Sequence, residues 1–268
     1  MKTFAVMLIG LSSMCSTSIT FAAQQNNQPD VYQQSYALYM LYHPETKEQN
    51  SKALVDNYRQ DYQQLFQNNK KVNADQFVQY EQARLDPLLK QRRDMSLKQA
   101  HVRYGILNSA KNQKLTLKEF QEIGLKTFNE MDKNQDGVIN IEDVKLTESN
   151  IGTHDGFRVK MPISMPIANN PQEFIQLYGQ GKDFVTLGDY LTARDQQFYA
   201  MDTQHKHSVT ESEYVNEFMQ RYDQNTVKGK EKMKDLSLQK FKIIANGKPT
   251  IQMKDIEKFA KKLDQSIS

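Results

Sequence analysis

Asp132-Lys133-Asn134-Gln135-Asp136-Gly137-Val138-Ile139-Asn140-Ile141-Glu142-Asp143 is the stretch that decides how this chain is read. Side-chain oxygens recur at alternate positions: Asp132, Asn134 and Asp136 at 1, 3 and 5, and Asn140 at 9. Gly137 stands at position 6, where a tight loop turns sharply, and Val138 at position 7 offers its backbone carbonyl. A loop of this kind can gather the roughly six to eight oxygens that Ca²⁺ requires. Position 12 departs from the ideal, because Asp143 is one methylene shorter than the glutamate that binds with both oxygens. Fewer oxygens weaken Ca²⁺ binding and relatively favour six-coordinate Mg²⁺. Glu142 lies one position too early to substitute.

Phe128 and Met131 precede this loop, and Ile139 fills its apolar position 8. On these residues the segment resembles the EF-hand family, and specifically bacterial exported EF-hand domain proteins. The resemblance is specific over about residues 115 to 215 and weak outside them. It implies an all-α fold of tandem helix-loop-helix modules, with very short β ladders between paired loops. It also implies Ca²⁺ as the bound ion, with Mg²⁺ at the same site. The implied ligands are Asp132, Asn134, Asp136, Val138, Asn140 and Asp143. Helix pairs of this family offer grooves for a peptide or protein partner.

A search for repeats extends the pattern. Asp202 to Glu213 keeps Asp202, Val209, Thr210 and Glu213 at positions 1, 8, 9 and 12, but Lys206 replaces a ligand and His207 the turn glycine. Its lead-in, Phe198 to Asp202, matches Phe128 to Asp132 at a spacing of 70. The same spacing relates Leu115-Thr116-Leu117 to Val185-Thr186-Leu187. Val72 to Gln76 and Ile251 to Asp255 look similar, which gives apolar anchors at 72, 115, 139, 185, 209 and 251. Thr116 with Glu119, and Thr210 with Glu213, are equally capping boxes that start a helix with or without metal.

Spacing predicts how the loops pair. Between the loops at 115 and 139 a single helix about 18 Å long fits, which puts them at opposite ends and forbids a shared ladder. The loops at 185 and 209 obey the same rule. The longer gaps leave room for two helices and a connection. We therefore expect 72 to pair with 115, 139 with 185, and 209 with 251, in three modules joined by shared helices. These modules span 30–125, 126–195 and 196–268. Tyr178, Gln180 and Lys182 at positions 1, 3 and 5 predict an empty partner loop at 185. Gly124 weakens the first shared helix and is a candidate kink.

Met1-Lys2, the apolar run Phe4 to Leu11 and Thr20-Phe21-Ala22-Ala23 read as a signal peptide over 1–22, followed by a polar, disordered stretch over 23–29. The single cysteine, Cys15, falls within the signal. A chain exported without disulfides fits a bacterial periplasm or the cell exterior. Apart from Lys2, 34 basic residues face 32 acidic ones, a net +2 that gives little reason to invoke nucleic acid. No later segment is apolar enough to enter a membrane stably. Asp30 should cap a first helix bearing Tyr32, Tyr36, Tyr39 and Met40. A second helix should run from Gln49 to Gln67, and two more should fill 74–107 with a break near Arg93-Asp94.

His205 and His207 flank Lys206 and read as an exposed loop tip rather than a zinc or copper site. Met161 and Met165, each followed by proline, read as loop packing rather than as Cu(I) ligands. No nucleophile elbow, zinc-protease motif, phosphate loop or dinucleotide fingerprint is present, so a non-enzymatic role is expected. The leading expectation is an exported calcium-binding protein with one working site and a partner-binding or structural role. The alternative is a metal-independent periplasmic adaptor or chaperone. An enzyme with a dispersed active site is the third reading, and it requires convergent perturbed carboxylates or histidines in a pocket.

Overall fold

A computed structural model describes residues 30–44, 51–112, 114–148 and 161–267. The expected signal peptide over 1–22 and polar stretch over 23–29 lie outside them. The described residues are mostly helical: α1 (Val31–Tyr42), α2 (Ser51–Phe66), α3 (Ala74–Leu107), α4 (Leu117–Met131), α5 (Ile141–Glu148), α6 (Pro171–Tyr178), α7 (Leu187–Met201), α8 (Glu211–Ala245) and α9 (Met253–Ile267). Four two-residue strands punctuate them: β1 (Leu115–Thr116), β2 (Val138–Ile139), β3 (Val185–Thr186) and β4 (Ser208–Val209). No helix among the described residues is long and apolar enough to cross a membrane.

Local chemistry explains most helix starts. Asp30, Asn73, Thr116 and Thr210 each accept the N–H three residues on, and Gln33, Gln76, Glu119 and Glu213 return the bond to the cap's own N–H. These reciprocal pairs satisfy amides that the first helical turn leaves free. Asn170, with Pro171 behind it, starts α6 in the simpler one-way form.

The ladders pair differently from expectation. β2 joins β3 with Ile139 opposite Val185, as the spacing predicts. Leu115, however, faces Val209 across β1 and β4, and Val72 bridges Ile251. The expected pairs 72 with 115 and 209 with 251 do not form. The reason is that α3 is one helix of 34 residues, not two, and α8 is one of 35. A continuous helix about 50 Å long puts its two loops at opposite ends, as α4 does over a shorter distance. The chain is thus a long hairpin of helices: it runs out through the loops at 72, 115 and 139 and returns through 185, 209 and 251. Each outgoing element meets its returning counterpart, α2 against α9, α3 against α8, α4 against α7 and α5 against α6.

No break interrupts α3 at Arg93-Asp94, although its apolar face lapses there. Leu85 and Leu89 are followed on that face by polar residues before Ala100, Tyr104 and Leu107 resume it. Arg93 continues the face by other means, giving two 2.8 Å bonds to Asp223 on α8. All six anchor residues, Val72, Leu115, Ile139, Val185, Val209 and Ile251, are fully buried. Met161 is buried beside Leu85, Ile163 and Met233, and Met165 packs against the cluster around Phe120 and Phe218.

At the end formed by α1, α2 and α9, a charged cluster lies inside an aromatic shell. Lys240 Nζ donates to the Tyr62 hydroxyl at 2.6 Å and to Glu81 at 3.3 Å, and Tyr62 donates to Glu81 at 2.5 Å. Arg84 links Glu81 to Asp61, which also meets His43 at 3.1 Å. The rings of Tyr58, Tyr62, Phe77 and Phe259 lie around the Lys240 ammonium at 5.3 to 6.0 Å. Burial tends to raise the Glu81 carboxyl, but Lys240 and Arg84 outweigh it and hold it below the usual glutamate value. The free space beside this cluster is about 10 Å³, no more than one water needs. The groups are therefore bonded to one another with no room for a substrate.

Candidate metal centre

The loop 132–143 is built by the end of α4, the turn around Gly137, strand β2 and the first turn of α5. Gln135 and Gly137 take left-handed φ values of 63° and 83°, which wind the chain into a closed ring. Glycine accepts this conformation without the steric cost a side chain incurs. The short oxygens hold the ring by local turns: Asn134 Oδ1 accepts the Asp136 N–H at 3.1 Å, Asp136 Oδ1 the Val138 N–H at 2.8 Å, and Asn140 Oδ1 the Glu142 N–H at 2.7 Å. These local turns organise the loop backbone.

The two ends of the loop behave differently. Asp143 is fully buried, and its carboxylate ties the loop shut. Its Oδ1 accepts the N–H groups of Lys133 at 2.7 Å and Asn134 at 3.2 Å, while its Oδ2 accepts that of Asn140 at 2.8 Å. Asp132, 5% exposed, takes the Gly137 N–H on Oδ2 at 2.9 Å, but its Oδ1 is buried without a partner. A buried anionic oxygen with no donor is costly, and a cation is the natural way to offset that cost. Asp136 also receives the Asn134 side-chain amide on Oδ2 at 3.0 Å, a contact between two expected ligands. Among the described residues no three His, Cys, Asp or Glu side chains are drawn together as a ready coordination shell.

The loop 202–213 supplies the contrast. Asp202 Oδ1 accepts the Lys206 N–H at 2.9 Å and Oδ2 the His207 N–H at 2.7 Å, so both oxygens are satisfied by backbone. Glu213 accepts from the Thr210 N–H and hydroxyl and from the Thr203 hydroxyl. Glu119 does the same in the loop before α4, accepting from Ala110, Ser109 and Thr116. Burial tends to raise both carboxyls, but these donors prevail and hold each below the usual glutamate range. In these loops the last acid straps loop to helix by hydrogen bonds alone. His205 and His207 are exposed at the tip, with left-handed φ values of 52° and 54°, and His207 meets the edge of Tyr199.

Across the ladder, the partner loop at 185 is closed by rings. Tyr178 packs on Phe174 and Tyr190 at 4.7 and 4.8 Å, and Lys182 reaches Asp189 at 3.2 Å. The Leu187 N–H donates to the Gly137 carbonyl at 3.2 Å, which ties this loop to 132–143.

The orphaned Asp132 oxygen is the one site feature that no spacing argument reveals. No family model matches the chain, and no curated protein or solved structure is significantly similar to it.

Proposed function

We propose that this chain is an exported calcium-binding protein of EF-hand type, with one working site at 132–143. The observation that carries this reading is the pair of position-1 aspartates: Asp202 has both oxygens bonded to backbone amides, whereas Asp132 keeps a buried oxygen free. Asp132, Asn134, Asp136, the Val138 carbonyl, Asn140 and Asp143 would hold the ion. Ca²⁺ would supply charge to the orphaned oxygen and stiffen the α4–α5 turn; no catalytic step is assigned to it. Because Asp143 is short and already engaged by Lys133, Asn134 and Asn140, the site is weak and tolerant of Mg²⁺, with Kd on the order of 10⁻⁵ to 10⁻³ M. Residues 1–22, read as a signal peptide, support export to a periplasm or beyond.

Titration calorimetry with CaCl₂ on the full chain tests the proposal. One stoichiometric ion is expected, together with a thermal stabilisation that Asp132→Ala abolishes. Two or more ions would overturn the single-site reading, and an unchanged stabilisation in Asp132→Ala would move the metal elsewhere. The loops closed by Glu119 and Glu213 favour a second reading, a metal-independent adaptor or chaperone scaffold, which predicts identical partner capture from the native envelope with calcium and with chelator.

A further inference from the structure

A groove of about 630 Å³ opens between α3, α4, α6, α7, α8 and the segment 161–168. Its volume falls within the range of sites that hold small ligands. Four arginines line it, Arg92, Arg103, Arg194 and Arg221, and no aspartate or glutamate is among its lining residues. Arg221 is paired with Glu217, which stands outside the lining. The rest of the wall mixes uncharged polar side chains, such as Gln99, Thr127 and Gln197, with an apolar share that includes Ile106, Phe120, Ile123, Met165 and Phe174, and Ile106 and Met95 are exposed at the rim.

The arginines are arranged rather than scattered. Arg103 and Arg221 lie over the Phe218 ring at 5.6 and 5.8 Å. The Arg194 guanidinium lies 3.8 Å from the Phe120 ring centre and donates Nη2 to the Phe120 carbonyl. Its Nε has no partner. Gly124 makes this position possible, because a Cβ there would overlap Arg194 Nε and Cδ. Burial raises the Tyr214 hydroxyl, while Arg103, Arg221 and Arg194 all lie close enough to pull it back down. Arg103 and Arg221 thus share the Phe218 ring and Arg194 sits on Phe120, in a groove whose other walls carry no charge.

We infer that this groove binds a single-chain anionic amphiphile, with a carboxylate or phosphate head on Arg103 and Arg194 and an apolar chain against Phe120, Ile123 and Met165. A guanidinium offers the planar fork that recognises both head groups. The part of α3 that lines the groove, from Arg92 to Leu107, extends about 22 Å, long enough to lie along an extended acyl chain.

Calorimetry on the full chain with chelator present tests this independently of the calcium reading. The probes are palmitate and hexadecyl phosphate below their aggregation concentrations, with hexadecanol as the uncharged control. One ligand per chain is expected for at least one acid, bound about tenfold or more tighter than hexadecanol. A preference between the acids identifies the head group. Arg103→Gln, an exposed position, should weaken binding about tenfold without changing the melting temperature. Gly124→Ala, which must push Arg194 off Phe120, should weaken it similarly even if Arg194→Gln itself folds poorly. Lack of binding by both acids, equal binding of hexadecanol, or indifference to both Arg103→Gln and Gly124→Ala would overturn the inference. Displacement of palmitate by an acidic apolar peptide of higher affinity would overturn it too, in favour of a protein ligand.

Discussion

Val72 and Ile251, 179 positions apart in the chain, exchange both of their backbone hydrogen bonds, at 3.0 and 2.9 Å. The loop before α3 is thereby closed by the loop before α9, not by its neighbour in sequence. α3 buries Phe77, Leu85, Leu89 and Tyr104 in clusters that α8 and α9 help to build, so its stability comes from partners on the returning arm. Residues 30–125 expressed alone are therefore expected to lack a cooperative thermal transition by circular dichroism. Helix and cooperativity should return on mixing with residues 196–268. A sharp transition in 30–125 alone would refute the nested arrangement as the source of its stability.

Glu81 pairs with the buried Lys240 and the partly buried Arg84, so removing it should cost more than an ordinary surface change. Glu81→Leu leaves Lys240 buried without its carboxylate and is expected to destabilise by about 3 to 5 kcal/mol in urea unfolding. Glu81→Leu with Lys240→Met removes both charges and should recover most of that loss. If the double variant is no better than the single one, the charges are not what Glu81 stabilises.

Acid should loosen the loops that hydrogen bonds hold. Glu119 and Glu213 have folded pKa values below the ordinary 4.5, so their contribution is complete above that value. It is lost as pH falls from there through the depressed folded values, where both carboxyls take up protons. Stability measured by urea midpoint should therefore drop below about pH 4.5, and Glu119→Gln with Glu213→Gln should lower the neutral-pH midpoint while flattening that drop. A slope as steep in the double variant would assign the acid sensitivity to other carboxyls.

Restoring the missing methylene tests the weakness assigned to the proposed calcium loop. Asp143→Glu lengthens the reach at position 12 and should tighten calcium binding about tenfold or more, because a second carboxylate oxygen can join the shell. The preference for Ca²⁺ over Mg²⁺ should rise with it. Calorimetry showing equal or weaker calcium binding would mean that the bonds from Asp143 to Lys133 and Asn134 are worth more than the added oxygen.

The elements were largely legible in the sequence, and their partners were not. Asp30, Asn73, Thr116 and Thr210 announce their helices through side chains that act within one turn. The pair 139 with 185 could be read because α4 and α7 are too short to conceal their geometry. The pairs 72 with 251 and 115 with 209 were missed because gaps long enough for two helices and a connection are each filled by a single helix, α3 and α8. One signal was present: the anchor spacings 43, 24, 46, 24 and 42 read nearly the same in both directions, as a hairpin folded about its middle requires. The unpaired Asp132 oxygen had no sequence signature, because Asp202 carries the same side chain at the same position and is fully bonded. The four arginines of the groove come from three helices, and only packing brings them together.

The hairpin also determines how the molecule would yield to tension. Pulled between α1 and α9, its arms part like a zipper, and the load falls on one ladder at a time. Val72 and Ile251 separate first, then Leu115 and Val209, and last Ile139 and Val185. An ion held at 132–143 would reinforce the closed end, the last part of the molecule to open.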